Sequence, residues 1–169
     1  AAYVLVWDGG MQPRVYYVNP PAMRCERVGQ IGELYGTLYS TMGLYFGPYK
    51  RKEVIDYNGE DWYSILKTYC NYNLAGKLMA YIGDGLTYPG VYPVNYLIEK
   101  MDALHADLAH RADLACNTLG YSKQRAIDFH FLRGIYDFAT RGWHDKTILA
   151  AIHTMCERML VRGLERIVP

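Results

Sequence analysis

Helical periodicity in the second half of the chain restricts its fold more than any other sequence feature. From Val94 onward, apolar residues recur at steps of three and four, which places them along one face of an α-helix. Pro93 suits the first position of this helix, and Asn117 and Gly120 mark its end. The predicted inner face consists of Val94, Leu97, Met101, Leu104, Leu108, Ala112 and Ala115.

Two more helices are predicted after this one. Ser122 caps the first, which runs to about Thr140 and stops at Gly142. Its apolar residues cover most of its sides, which indicates a central position in a bundle. Asp145 caps the last helix.

The first twenty residues predict a β-hairpin. Tyr3–Trp7 and Arg14–Val18 are rich in β-branched and aromatic residues, and Asp8-Gly9-Gly10 between them is a turn signal. Asn19-Pro20-Pro21 ends the second strand.

Small residues follow at steps of three and four between positions 29 and 47. On a helix they form a bare face that lets another backbone approach closely. We favour a helix over residues 29–36. We leave residues 37–46 open between helix and strand, because Thr37–Tyr45 also alternates well enough for a strand. The small residues are Gly29, Gly32, Gly36, Ser40, Gly43 and Gly47.

The middle of the chain completes the predicted architecture. Lys50-Arg51-Lys52 leads into a predicted short strand at Glu53–Tyr57, and a helix is predicted from Glu60 to about Ile82, with Gly83 as its cap. The expected fold class is therefore α+β and helix-dominated, with a small N-terminal β element packed beside a bundle of about four helices. We expect residues 1–169 to form a single domain.

The charge balance excludes a strong global attraction to nucleic acid or anionic membranes. The chain has 18 basic and 17 acidic residues, a net charge of +1. It contains no run of 18 uncharged apolar residues, so we expect no membrane span. Its four Cys are isolated, which fits neither a disulfide framework nor a zinc site. We therefore expect a reducing, cytoplasmic compartment and neither a metal nor a cofactor.

Asp102 and His105 are the best-spaced candidates for catalysis. They lie one turn apart on the helix that begins near Val94. A carboxylate beside a His orients the imidazole and raises its basicity, as a general base requires. The alternative is that Asp102 and His105 have no catalytic role and belong to an exposed helix face rich in His and Asp. His110 points to the opposite, solvated side of the helix, so the two His cannot share a metal.

The loop Tyr81-Ile82-Gly83-Asp84-Gly85, followed by a helix that bears His105, resembles the plan of calcium-dependent secreted phospholipase A2. The resemblance implies carbonyl ligands for calcium from the loop, a His that activates water, and a neighbouring Asp that binds calcium. Here, however, Ala106 follows His105, and Asp107 is rotated by about 200° from it on a helix. The disulfides of that family are missing as well.

Arg125-Ala-Ile-Asp-Phe-His130 resembles the Arg-x4-His motif of helical HEPN ribonucleases. The resemblance implies an Arg that neutralises phosphate charge and a His that handles a proton. We favour the structural alternative, in which His130 and Arg133 belong to the polar stripe of a largely buried helix and pair with Asp137 or a neighbour.

Lys50, Arg51 and Lys52 are the candidates for contact with nucleic acid. Tyr45, Tyr49 and Tyr57 flank them, so stacking and charge together would suit a single strand. A basic trio before a strand is more often a solvated turn.

Tyr is unusually abundant, with 17 Tyr against 4 Phe and 3 Trp. Tyr joins an apolar face to a hydroxyl group and suits protein contacts, although it also replaces Phe at the rim of a core. We therefore predict a non-enzymatic interaction or structural protein, a subunit of a larger or homo-oligomeric assembly that binds a protein partner or itself. The predicted interface residues are Gly29, Gly32, Gly36, Gly43, Tyr35, Tyr39 and Tyr45.

The alternative function is a small hydrolase, phospholipase A2-like or HEPN ribonuclease-like. It would use His105 with Asp102, or His130 with Arg125.

Overall fold

A computed structural model describes residues 1–7, 12–31, 37–70, 73–83, 93–115 and 121–168. Helices dominate this part of the chain, and a small antiparallel sheet lies at its N-terminus, which confirms the α+β prediction. No described helix is both long and apolar enough to cross a lipid bilayer. The strands are β1 (Ala2–Val6), β2 (Arg14–Asn19) and β3 (Arg24–Gln30), and the helices are α1 (Thr37–Tyr45), α2 (Lys52–Ile55), α3 (Trp62–Tyr69), α4 (Leu74–Ile82), α5 (Val94–Ala115), α6 (Tyr121–Ala139) and α7 (Asp145–Ile167).

The sheet has the order β1-β2-β3, with both neighbouring pairs antiparallel. The predicted hairpin is confirmed by the pairing of β1 with β2, although its turn signal lies in residues 8–11, outside the described part. The third strand was not predicted. A short 3-10 turn at Pro20–Ala22 and Met23, whose φ of 47° is left-handed, reverses the chain into it.

The prediction of a helix over residues 29–36 is wrong for Gly29 and Gln30. Gly29 and Gln30 are the last residues of β3, and Gly29 pairs with Val15 of β2. Residues 32–36 lie outside the described part. The open segment 37–46 is a helix through Tyr45, and all nine residues of α1 are buried. A helix buried on every side has no polar face, so its sequence lacks amphipathic periodicity.

Two further predictions in the middle of the chain need correction. Glu53–Tyr57 was predicted as a strand, but Lys52–Ile55 is a short helix that buries Val54. The single helix predicted from Glu60 to Ile82 is divided into α3 and α4, because the backbone turns extended at Cys70. Asp61 caps α3 by accepting the Ser64 amide at 3.1 Å.

The three predicted C-terminal helices are confirmed by α5, α6 and α7. The cap of α7 differs by one residue, since His144 Nδ1 accepts the Lys146 amide at 3.3 Å. Asp145 instead accepts hydrogen bonds from the Gly47 amide at 3.0 Å and from Lys50 Nζ at 3.3 Å. These bonds tie the turn after α1 to the start of α7.

The main core lies among α1, α4, α5, α6 and α7. The prediction that α6 is central agrees with the complete burial of Phe131, Leu132 and Ile135. Cys156 is buried, as its apolar surroundings predicted, while Cys25 is exposed and Cys116 lies outside the described residues.

Contact between the end of α7 and the end of β3 joins the helices to the sheet. At Gly29 and Gly163, an added Cβ would lie 2.8 Å from Ile167 Cγ2 and 2.7 Å from Ile31 Cγ2, respectively. Both distances are shorter than real Cβ contacts. The two glycines therefore permit a close approach that larger residues would prevent.

Gly163→Ala is expected to lower the free energy of unfolding by about 1–3 kcal/mol, because the new methyl group would press on the buried Ile31 side chain. Gly76→Ala is the matched control, since Gly76 is also helical but its added Cβ would meet nothing within 4 Å. That variant should gain about 0.5–1 kcal/mol from helix propensity. Denaturant unfolding measures both changes, and equal stabilisation would show that α7 does not press on β3.

Candidate functional site

A groove of about 500 Å³ runs between the end of β3, α5 and the last turns of α7. Carboxylate, imidazole and guanidinium side chains line it together. The approach of α7 to β3 forms one side, and α5 supplies the residues opposite. Its polar lining residues are Gln30, Asp102, His105, Arg162 and Arg166.

An ion pair bridges the two helices of the groove. Arg162 Nη2 donates to Asp102 Oδ1 at 3.0 Å, which joins α7 to α5. About half of the Arg162 side chain remains exposed, so the pair itself adds little stability. Arg166 lies one turn further along α7, exposed and without an ion pair to any described residue. The groove therefore holds one neutralised and one available guanidinium group.

His105 lines the same groove but is only 3% exposed. Its ring stands edge-on to Phe131, with 5.3 Å between the ring centroids. Burial lowers the pKa of His105 to about 4, and the opposing effect of the nearby Asp102 charge is smaller. The imidazole is therefore neutral at pH 7, and no hydrogen bond to it is present within the described ranges.

The structure brings Asp102 and His105 to one groove, as their spacing predicted, but not as a base and its orienting carboxylate. Asp102 is hydrogen-bonded to Arg162. With a pKa near 4, His105 is a weak base at neutral pH. It is instead a neutral group that can donate or accept a hydrogen bond.

The phospholipase-like arrangement does not form around His105. Ala106 lines the groove, whereas Asp107 lies outside it and pairs with Arg111 at 2.9 Å. This direction agrees with the rotation predicted for Asp107. Asp84 and Gly85 of the predicted calcium loop lie outside the described residues.

His130 of the Arg-x4-His motif does not line the groove. His130 is exposed on α6, and burial of part of its ring, together with the Arg133 charge, lowers its pKa. The Arg125 side chain lies outside the described part. Arg133 donates to the Tyr57 carbonyl oxygen and, at 2.8 Å, to Asn58 Oδ1. Arg133 therefore fastens α6 to the segment before α3.

The described members of the predicted interface face inward. Tyr39 and Tyr45 are buried, and an added Cβ at Gly43 would lie 3.7 Å from Leu78 Cδ2. Gly29 contacts α7 through the close approach described above. Gly32, Tyr35 and Gly36 lie outside the described ranges. Binding to a protein partner through this set stays a prediction.

Sequence analysis missed a second polar cluster on the other side of α7. The Tyr39 hydroxyl lies 2.5 Å from His153 Nδ1, and His153 Nε2 lies 3.3 Å from Glu157. Burial raises the pKa of Tyr39, so the phenol keeps its proton beside His153. The i, i+4 spacing of His153 and Glu157 was visible in the sequence, but the contact with Tyr39 required the fold.

The basic trio is divided between two environments. Lys50 pairs with Asp145, while Arg51 and Lys52 are exposed. Contact of these residues with nucleic acid stays a prediction. Among the described residues, no three His, Cys, Asp or Glu side chains come together closely enough to hold a metal ion.

Comparison with known proteins identifies relatives. The sequence model of a family described as Carbamoyltransferase N-terminus matches residues 1–169. A Nodulation protein U from Bradyrhizobium diazoefficiens is 32% identical over 164 residues, which cover 96% of this chain and 26% of that protein. A Nodulation protein U from Sinorhizobium fredii is 30% identical over 166 residues, which cover 95% of this chain and 26% of that protein.

The chain thus spans about a quarter of the length of these relatives, since the matched region is 26% of each. A third Nodulation protein U, from Azorhizobium caulinodans, is 26% identical over 172 residues, with 96% of this chain and 26% of that protein covered. No solved structure is significantly similar to the chain.

These matches contradict the prediction of a non-enzymatic interaction or structural protein of unknown function, because the matching family is one of transferases. The alternative of a small hydrolase fails for the same reason. No short motif in the sequence revealed the family relationship, because the similarity extends over the whole chain.

His105 is expected to make the folded protein sensitive to mild acid. Its folded pKa, about 4, lies below the ordinary value of 6.5, so the unfolded state takes up the proton more readily. The stability contributed by the neutral imidazole is complete above about pH 6.5 and is lost as the pH falls toward 4. Between pH 7 and pH 5, the loss is about 2 kcal/mol.

Denaturant unfolding at both pH values tests this linkage. His105→Gln should lose about 2 kcal/mol less than the wild type between pH 7 and pH 5. His110→Gln is the matched control on the same helix, since His110 is exposed. A pH dependence that His105→Gln leaves unchanged would show that His105 titrates normally.

Proposed function

Because the chain belongs to the carbamoyltransferase N-terminus family, we propose that it forms part of an enzyme that transfers a carbamoyl group. One observation carries this proposal: the family model matches every residue from 1 to 169. The chain covers only 26% of its relatives, so the activity belongs to the whole protein and is not assigned to this chain alone.

Carbamoyl transfer has a definite electrostatic requirement. A nucleophile attacks the carbonyl carbon of the donor, and the bond to the leaving group breaks with its electron pair on the leaving group. The leaving group therefore departs as an anion, for which a phosphate or carboxylate is suited. Guanidinium groups bind such anions with charge-assisted, often bidentate hydrogen bonds. Donors placed where the charge develops lower the barrier.

The groove between α5 and α7 supplies groups of this kind. Arg166 is exposed and unpaired among the described residues, so its guanidinium group is available to an anion. Arg162 is one turn away, but Asp102 neutralises part of its charge and fixes its position. Arg166 is therefore assigned the larger share in holding the leaving group, and the Asp102–Arg162 pair maintains the spacing of the two helices.

His105 is assigned a hydrogen-bonding role beside these arginines. Its neutral imidazole offers one donor and one acceptor, which complement the carbonyl oxygen and the amino group of a carbamoyl unit. Its low pKa makes proton abstraction at pH 7 inefficient. We therefore expect another residue of the protein to act as the base that activates the acceptor.

The activity is tested on the protein as its gene encodes it. Carbamoyl phosphate labelled with carbon-13 serves as the donor probe, and mixed small hydroxyl and amine compounds serve as acceptors. Mass spectrometry is expected to detect a labelled carbamate or urea, with phosphate released in step. Absence of both products with every acceptor would contradict carbamoyl transfer from this donor.

Arg166→Gln is expected to raise KM for the anionic donor by about 10- to 100-fold, because it removes a charge-assisted interaction worth about 1.5–3 kcal/mol. Arg141→Gln is the matched control, since Arg141 is also exposed but lies outside the groove. Steady-state kinetics separate KM from kcat. Unchanged kinetics in Arg166→Gln would remove the groove from the donor site, while measurable transfer would leave the enzymatic function in place.

A further inference from the structure

A second cavity, of about 290 Å³, lies between the end of α4 and the first half of α7. It is separate from the groove. Nine positions lie between His153, which lines the cavity, and Arg162 of the groove, so the two side chains leave α7 on opposite sides and about 13 Å apart along the axis. Ligand pockets usually measure about 300–1,000 Å³, so a cavity of this size suits a small molecule.

The buried core fixes the imidazole that lines this cavity. The Tyr39 hydroxyl lies 2.5 Å from His153 Nδ1, and the two rings stand edge-on with their centroids 5.7 Å apart. Tyr39 is buried in α1, whereas His153 is partly exposed. Whichever ring nitrogen carries the proton, Tyr39 occupies Nδ1 and leaves Nε2 for other partners. The orientation of His153 is therefore set from inside the protein.

His153 in turn orients the carboxylate of Glu157. Nε2 of His153 lies 3.3 Å from Glu157 Oε1, one helical turn further along α7. A carboxylate accepts about four hydrogen bonds through its two oxygens, so most of its capacity remains open to a ligand. Although the Glu157 side chain is 62% exposed, its contact with a fixed imidazole gives it a defined position at the cavity.

The electrostatics of the cavity favour a cation. Glu157 is its acidic residue, and no described lysine or arginine lines it. Ile82 and Gly83 also line the cavity, where α4 ends. The last carbonyl groups of a helix have no partners within the helix and form the negative end of its dipole. A carboxylate and a helix C-terminus thus act on the same space.

The remaining lining favours an organic cation over a metal ion. Ile82 and Ala150 are each 5% exposed, and Met79, whose flexible thioether adapts to different shapes, is 49% exposed. An alkyl chain gains free energy by covering such apolar surface, whereas a hydrated inorganic ion does not. In the described part of the chain, no three side chains are grouped to bind a metal ion.

We propose that the cavity between α4 and α7 binds a small primary amine in its ammonium form. The ammonium group donates to the Glu157 carboxylate and to carbonyl groups at the end of α4. The alkyl body covers Met79, Ile82 and Ala150. This inference goes beyond carbamoyl transfer and does not depend on it, because it uses none of the groove residues.

NMR titration of the protein as its gene encodes it, labelled with carbon-13 at the methionine methyl groups, tests the site. Butylammonium chloride is the probe, at pH 7, where an alkyl amine is protonated as lysine is. We expect a saturable shift of the Met79 methyl resonance, with a Kd of about 1–10 mM for so small a ligand. Met79→Leu assigns the resonance. Butan-1-ol and potassium chloride at equal concentration are the matched probes, since each keeps one of the two properties.

A pair of substitutions locates the charge that binds the amine. Glu157→Gln keeps the size of the side chain and should raise the Kd at least about 10-fold, because it removes a charge-assisted hydrogen bond. Glu165→Gln is the matched control, since Glu165 is exposed on the same helix but lies outside this cavity. It should change the Kd less than about two-fold. Both residues are exposed, so both variants should keep the Tm of the wild type.

Four results would overturn the proposal. Butylammonium might give no saturable shift up to about 100 mM, far above the expected Kd. Butan-1-ol might bind as well as butylammonium, which would show an apolar cavity without charge selection. Potassium might displace the amine at constant ionic strength, which would show an inorganic cation site. An unchanged Kd in Glu157→Gln would remove the carboxylate from the site. None of these results would alter the test of carbamoyl transfer.

Discussion

The close approach of α7 to β3 is the contact on which the candidate site depends. Gly163 and Gly29 leave room for Ile31 and Ile167, respectively, so the last turns of the helix lie directly against the strand end. The middle of the same helix is buried in the main core, from Thr147 to Cys156. One rigid element therefore fixes the arginines near its end relative to the core, and the groove exists only while that end stays against the sheet.

Burial gives the groove its chemical character as well as its shape. A His beside a carboxylate usually becomes a stronger base, but desolvation of His105 outweighs the Asp102 charge. Asp102 is meanwhile held by Arg162 across the helix pair. The same residue types at the same spacing thus provide a neutral hydrogen-bonding group beside a fixed ion pair, which suits binding of a polar, anionic molecule better than abstraction of a proton.

The sequence predicted α5, α6 and α7 because their apolar residues recur at helical spacing and their ends carry clear signals. It did not reveal β3, whose Arg24, Glu26 and Arg27 resemble a loop, or α1, which is buried on all sides. Asp102 and His105 were identified from their spacing. Arg166 was not identified, because it lies on an outer face of α7. It lines the groove only because β3, which was not predicted, lies opposite. The pairing of Tyr39 with His153 spans 114 positions, beyond any local pattern.

The abundance of Tyr illustrates why composition gave the wrong function. Tyr residues suit interfaces, yet Tyr39 and Tyr45 are buried, and the ring of Tyr45 lies 6.4 Å from that of Phe129. The open apolar surface lies instead on β1, a strand whose sequence resembles that of any buried strand. An amino-acid type does not distinguish a core from an interface, because both require apolar area with a few satisfied polar groups. The distinction comes from what covers each element.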